Sequence, residues 1–181
     1  KPEGAKWAEP LEVIDRVTYR FDGGGYAQPG FDHIFVVSAD GGAARQITFG
    51  NWDDGGPLSW TPDGRAILFS ANRIKEWERE AGNSEIYSVD VNSSTITALT
   101  SRNGPDAAPA VSPDGRTIAY LGFDDVNRSY EDTELYVMNG DGSGARSLTA
   151  KLGQSIDSLQ WAGNSIYVTY DDHAKKRVAR I

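Results

Sequence analysis

Few residues in this chain are of types that could carry chemistry. There are two histidines, His33 and His173, and no cysteine. The lack of cysteine excludes disulfides, thiolate catalysis and zinc–cysteine sites, but it leaves the compartment open, because secreted proteins can also lack disulfides. His173 ends the triplet Asp171-Asp172-His173. That triplet could ligate a cation, but a polar hairpin tip explains it better. A serine nucleophile would need a Gly-x-Ser-x-Gly elbow between a strand and a helix, and no such pentapeptide occurs. No His-Glu-x-x-His occurs either, and the two histidines are not spaced for a metal. The expectation is a non-catalytic segment with no catalytic residue, no metal and no cofactor.

Two glycine-rich runs invite ligand readings. Asp22-Gly23-Gly24-Gly25-Tyr26 could cradle a phosphate, but the Lys-Ser/Thr of a phosphate loop does not follow it and no helix is signalled. Asn139-Gly140-Asp141-Gly142-Ser143-Gly144 begins like a calcium loop. The glutamate expected at the twelfth position is missing, and a tight turn is the better reading.

The elements that must position these residues recur along the chain. Ile34-Phe35-Val36-Val37, Ile86-Tyr87-Ser88-Val89 and Leu135-Tyr136-Val137-Met138 begin 52 and 49 residues apart. The threonine that closes the next strand recurs at Thr48, Thr100 and Thr149, again 52 and 49 apart. Thr61-Pro62-Asp63-Gly64-Arg65 and Ser112-Pro113-Asp114-Gly115-Arg116 read as turns, with proline presetting φ and glycine supplying the left-handed residue. Ala162-Gly163-Asn164 is a degraded third copy. A repeat of about 50 residues with four short strand patterns and no long helical pattern predicts propeller blades. The fold class expected is all-β: a partial β-propeller of about three and a half four-stranded antiparallel blades in one domain spanning 1–181. The blades are placed at 11–48, 58–100 and 109–149, with half a blade at 158–181. Lys1 to Pro10 reads as a lead-in, Val13 to Phe21 as a strand, and His33 to Ala39 as a further strand.

Irregular inserts join the second and third strands of each unit, at 22–31, 71–83 and 122–132. In an antiparallel blade all of these emerge on one face of the disc. Residues 71–83 could form one or two helical turns with Ile74 and Trp77 on one side. The binding residues expected on this insert face are Tyr26, Arg73, Trp77 and Tyr130, since aromatic side chains are poor choices for free solvent.

Composition narrows the partners. With 18 basic and 26 acidic residues the net charge is −8, spread along the chain. That argues against nucleic acid and anionic membrane as main partners, both of which need a basic footprint. No apolar run approaches the roughly 20 residues needed to span a bilayer as a helix.

The Ser/Thr-Pro-Asp-Gly-Arg turns, the Ile-Tyr-x-Val strand and the Leu-Thr endings resemble the propeller repeats of TolB-type proteins and of the prolyl oligopeptidase family. Arg20-Phe21-Asp22-Gly23-Gly24-Gly25-Tyr26, Ser70-Ala71-Asn72-Arg73, Asn103-Gly104-Pro105-Asp106 and Tyr136-Val137-Met138-Asn139-Gly140-Asp141-Gly142-Ser143 resemble the N-terminal propeller of that family's acylaminoacyl-peptidase and dipeptidyl-aminopeptidase branch. The resemblance implies a serine peptidase in which the propeller gates peptide access to an α/β-hydrolase domain. That domain and the remaining blades of a ring of about seven are not in this sequence, so no catalytic residue carries over. The partners implied are the missing blades, the hydrolase domain and a peptide substrate. Two half-rings could also associate through their exposed edges. The alternative is a non-enzymatic TolB-like interaction scaffold.

Overall fold

The computed structural model describes residues 3–8, 11 and 13–181. Among these the regular structure is all strand, with no helix. β1 (Arg20–Phe21) and β2 (Gly25–Tyr26) form a short hairpin, as do β3 (Phe35–Val36) and β4 (Arg45–Gln46). β5 (Asp54–Trp60), β6 (Ala66–Ala71), β7 (Glu85–Asp90) and β8 (Ile96–Ala98) make a four-stranded antiparallel sheet in sequence order. β9 (Asp106–Val111), β10 (Thr117–Gly122), β11 (Glu134–Asn139) and β12 (Arg146–Ser147) make a second. β13 (Ile156–Ala162), β14 (Ser165–Asp172) and β15 (Lys175–Arg180) make a three-stranded third. The chain is a partial β-propeller.

Side chains of a strand alternate between its two faces, so a sheet lying between two others must be apolar on both. This explains the unbroken apolar runs Ile67-Leu68-Phe69 and Ile118-Ala119-Tyr120-Leu121. Ile67, Phe69 and Ala71 pack with Ile34 and Ile47 of the preceding unit. Leu68 and Ile86 turn the other way, onto Ile118, Tyr120 and Met138 of the following sheet. Ala119, Leu121, Leu135 and Val137 then meet Ile156, Ile166 and Val168. The core is thus a series of interfaces between sheets. By register, Val178 stands where Ile86 and Leu135 stand. It is 70 % exposed where they are fully buried, because no sheet among the described residues covers that face.

The repeated threonine has a single job in three places. Thr48, Thr100 and Thr149 each accept, through Oγ1, the N–H of Ile34, Ile86 and Leu135 at 2.9, 2.9 and 2.8 Å. The carbonyls of those three residues in turn accept the N–H of Ile47, Leu99 and Leu148. The third and fourth strands of each unit are closed beyond the short ladder that pairs them. The Pro-Asp-Gly turns form as read: Gly64 and Gly115 have φ of 70° and 73°, and Asp63 and Asp114 accept the N–H of Arg65 and Arg116 at 3.1 Å.

Several local expectations differ from the structure. Of Val13–Phe21, Arg20 and Phe21 alone are strand, and the 22–31 insert contains β2. The strand expected over His33–Ala39 shortens to Phe35–Val36. Both shortfalls lie in the first unit, where no inner strand is paired beside β3. Residues 71–83 hold one turn, with the Glu76 carbonyl accepting from Arg79 and Glu80, in keeping with the one or two helical turns expected there. The lead-in expected at Lys1–Pro10 lies partly outside the described residues.

Replacing Thr149 by Val leaves the buried Leu135 N–H without an acceptor, and should cost about 1–3 kcal/mol. Thr97→Val, at an exposed position in β8, should change stability by less than about 0.5 kcal/mol. Denaturant midpoints of the two variants check this.

Candidate functional site

The inserts and the loops between sheets emerge together and are tied to one another. Asn103, in the loop before β9, accepts the N–H of Asp125 through its carbonyl (2.9 Å) and donates from Nδ2 to the Asp125 carbonyl (2.8 Å). Gly104 N–H donates to Asn83 Oδ1 at 3.1 Å. The insert after β6 and the insert after β10 are therefore joined through one loop. On the other side, Trp77 meets the Phe31 ring edge-on at 6.0 Å, and Arg16 lies 4.3 Å over the Phe31 ring.

The four residues singled out from the sequence part company here. Tyr26, half exposed in β2, sits 6.4 Å from Tyr19 and lines a cleft of about 370 Å³ with Leu11, Val13, Ile14 and Arg16. Trp77 lines an adjoining cleft of about 430 Å³ with Phe21, Phe31, Asp32 and Asp53, and the two clefts share Arg16 and the Ala27–Pro29 wall. Tyr130 is 71 % exposed, with its hydroxyl donating to Asp132 at 3.0 Å. It lies against Ser155 in the loop before β13, and shares neither of these clefts. Arg73 is mostly withdrawn from solvent, its side chain 14 % exposed. Its Nε and Nη2 donate to Asp54 Oδ1 and Oδ2 at 2.7 and 2.8 Å, and Nη2 also reaches the Phe49 carbonyl at 3.0 Å. Trp52 and Tyr87 flank the guanidinium at 5.0 and 5.9 Å. The guanidinium thus holds both oxygens of Asp54 and the Phe49 carbonyl.

The buried polar nodes under this face are not legible as paired charges in the sequence, although Asp106 and Arg73 each end one of the quoted motifs. Asp54 and Asp106 begin the inner strands β5 and β9, 52 residues apart, and are 2 % and 0 % exposed. That step matches the repeat, and it is the one sequence signal that could have found them. Each is matched by an arginine, Arg73 for Asp54 and Arg102 for Asp106, although the two come from different loops. Arg102 Nε and Nη2 both donate to Asp106 Oδ1, at 2.9 and 2.5 Å, and the guanidinium lies 3.8 Å over the Tyr136 ring. Glu85, at the start of β7, accepts from the Thr100 hydroxyl at 2.5 Å. Burial pushes Glu85 up to about 7, with the Asp106 charge adding to the rise. Burial also raises Asp106, against the pull of Arg102. These shifts arise from desolvation at a structural joint. His33 Nδ1 lies 3.4 Å from Asp54 Oδ2, on a carboxylate already locked by Arg73, which is the arrangement of a packed joint rather than of a general base.

The two glycine-rich runs and the acidic triplet also resolve. Asp141 accepts from both the N–H and the hydroxyl of Ser143, at 2.9 and 2.7 Å, so the calcium-like run is a self-capped turn. Asp172 contacts His173 and Arg177 on either side of a two-residue hairpin turn with positive φ at His173 and Ala174. Gly23 and Gly25 carry positive φ in the β1–β2 turn. Among the described residues no group of three or more His, Cys, Asp or Glu could hold a metal ion.

Residues 25–179 match the family model described as the TolB beta propeller domain. The Tol-Pal system protein TolB of Francisella tularensis subsp. tularensis is 24 % identical over 157 residues, covering 84 % of this chain and 33 % of that protein. Dipeptidyl-peptidase 5 of Arthroderma otae is 25 % identical over 132 residues, covering 66 % of this chain and 18 % of that protein. Among solved structures, TolB from Acinetobacter baumannii superposes with a TM-score of 0.63 at 21 % identity, over 81 % of this chain and 34 % of that one. The chain thus spans about a third of these two TolB proteins and less than a fifth of the peptidase.

A Cβ at Gly122 would lie 2.3 Å from both Arg102 Nη2 and the Pro105 carbonyl. Gly122→Ala should displace the Arg102–Asp106 pair and cost about 1–3 kcal/mol. Gly55→Ala, where a Cβ meets nothing within 4 Å, should be nearly neutral. Urea midpoints of the two variants decide it.

Proposed function

The chain belongs to the TolB β-propeller domain family, and from that membership we propose that it is a non-catalytic docking segment of a larger protein, with the insert face seating a second protein domain. The observation that carries this is the row of apolar side chains left open on that face. Tyr19, Phe21 and Tyr26 are each about half exposed, beside two adjoining clefts, one of which Trp77 and Phe31 help to wall. Contiguous apolar surface rimmed by charge is what a protein interface uses. The rim here is Arg16, Asp32, Asp53 and Glu78. Rigid backing under such a face limits the entropy lost on docking, and the Asp54–Arg73 ion pair supplies it directly beneath.

In the form we favour, the docked domain is an α/β hydrolase and the propeller gates peptide entry to it. The similarity to dipeptidyl-peptidase 5, a peptidase by its name, and the branch-like motifs around Arg20–Tyr26 and Asn103–Asp106 support this form. The similarity to TolB, a Tol-Pal system protein by its name, supports a second form in which the same face binds a separate protein and no hydrolase is involved.

The reading frame of the parent gene discriminates the two. A Gly-x-Ser-x-Gly elbow encoded in frame with this segment fits the peptidase form, and a frame without one leaves the scaffold form. Where a hydrolase domain is encoded, Trp77→Ala should weaken its binding to the separately made propeller by about tenfold or more, the range for an aromatic anchor. Calorimetric titration giving unchanged affinity would refute docking through this face.

A further inference from the structure

The three joints between successive units occupy equivalent places in the repeat, but their chemistry differs. At the first, His33 faces Asp54, and Arg73 bonds both carboxylate oxygens of that aspartate. At the third, Glu134 precedes Leu135, and Ile156 stands where an aspartate stands in the other two. The middle joint alone sets two buried carboxylates, Glu85 and Asp106, against one guanidinium. Backbone bonds draw them together: Asp106 N–H donates to the Ser84 carbonyl at 2.7 Å, and the Ser84 hydroxyl to the Asp106 carbonyl at 3.1 Å.

Counting donors exposes a shortage. Arg102 spends both its bonds to Asp106 on Oδ1, and the buried Oδ2 has no partner. The Thr100 hydroxyl has one hydrogen, which goes to Glu85 Oε2, while its oxygen accepts the Ile86 N–H. A hydroxyl has two lone pairs and one hydrogen. With both acids ionised, that one hydrogen cannot serve both, and one buried carboxylate oxygen stays bare. With a proton on Glu85, the Glu85 O–H donates to Thr100 Oγ1 and the Thr100 hydrogen turns to Asp106 Oδ2. Every group is then satisfied.

We propose that Glu85 carries a proton that is relayed through the Thr100 hydroxyl to Asp106, and that its loss loosens the joint between the β5–β8 and β9–β12 sheets under the insert face. The proton moves between Glu85 and solvent, no other covalent bond changes, and the Thr100 hydrogen reorients between Glu85 and Asp106. The groups facing Glu85 are Thr100 and Arg102 from the preceding loop, Asp106 from β9, Tyr120 from β10 and Tyr87 on its own strand. Asp124 and Tyr136 bear on Arg102, and Asp54 with Arg73 lies beyond Tyr87. Arg102 is the one cation among the groups that bear on Glu85, so it cannot balance both acids.

Burial holds Glu85 near 7 against an ordinary 4.5. A folded chain that keeps a proton the unfolded chain has lost is most stable below the ordinary value and loses that stability as pH rises through the raised one. Stability should therefore fall between about pH 4.5 and about pH 7 and level off above. Glu85→Gln keeps a donor at this place without the titration. Between pH 5 and pH 8 the unfolding equilibrium constant of the unsubstituted chain should rise by more than about tenfold relative to Glu85→Gln, the factor carried by a single pKa unit. Glu134→Gln, at the equivalent position of the joint where Ile156 replaces the aspartate, should leave the slope unaltered. The Glu85 carboxyl carbon, followed by NMR in the intact chain, should titrate near 7. A midpoint below 5, or identical pH slopes for Glu85→Gln and the unsubstituted chain, overturns the proposal.

Discussion

Each sheet of this protein is fastened to the next by a joint that recurs at the start of every inner strand, and the rest of the structure depends on it. The first residue of each inner strand, Asp54, Asp106 or Ile156, donates its N–H to a carbonyl two residues upstream of the latched position in the preceding unit, at Asp32, Ser84 or Thr133. The latched residues Ile34, Ile86 and Leu135 are each held by a threonine hydroxyl that returns from the outer strand. Inner strand, third strand and outer strand thus converge on one small volume per joint. Apolar burial supplies the bulk of the stability and has no direction; these bonds give it a register.

That convergence also determines where function can sit. A buried backbone group left without a partner costs as much as a lost hydrogen bond, so the loops that complete the joints cannot drift. The inserts attached to them inherit the constraint: Asn103 and Gly104 tie two inserts into one surface, and Arg73 reaches from an insert into the first joint. Apolar residues on those inserts can then stay exposed without collapsing into the core. The Asp–Arg nodes serve as the stiff footing of a face, and a partner meets the side chains above them.

The fold was legible because its signals repeat. Ile86-Tyr87-Ser88-Val89, the Pro-Asp-Gly turns and the three threonines keep a step near 50, and each position has the same physical job in every copy. The first unit was misread where its strands are short: Val13–Phe21 alternates well, yet β1 extends over Arg20–Phe21 alone, because pairing depends on neighbours that the local pattern does not contain. Arg73 looked like a surface cation because sequence does not show that Asp54, nineteen residues earlier, is buried against it. Of the four residues chosen for the insert face, Tyr26 and Trp77 line adjoining clefts, and Tyr130 lies apart from them. Asp106 ends the Asn103-Gly104-Pro105-Asp106 run and Glu85 precedes the Ile86-Tyr87-Ser88-Val89 strand, but neither position shows its chemistry there, because a carboxylate acquires its character from burial, which no single stretch of sequence records.

Amide hydrogen exchange at the joints tests the central claim most directly. The N–H groups of Asp54, Asp106, Ile156, Ile34, Ile86 and Leu135 should exchange together, at the rate of global unfolding and far more slowly than the amides of the exposed insert residues Val126, Arg128 and Ser129. Exchange of the joint amides at the insert rate, while the central β6 and β10 amides stay protected, would show that the joints do not hold the sheets in register.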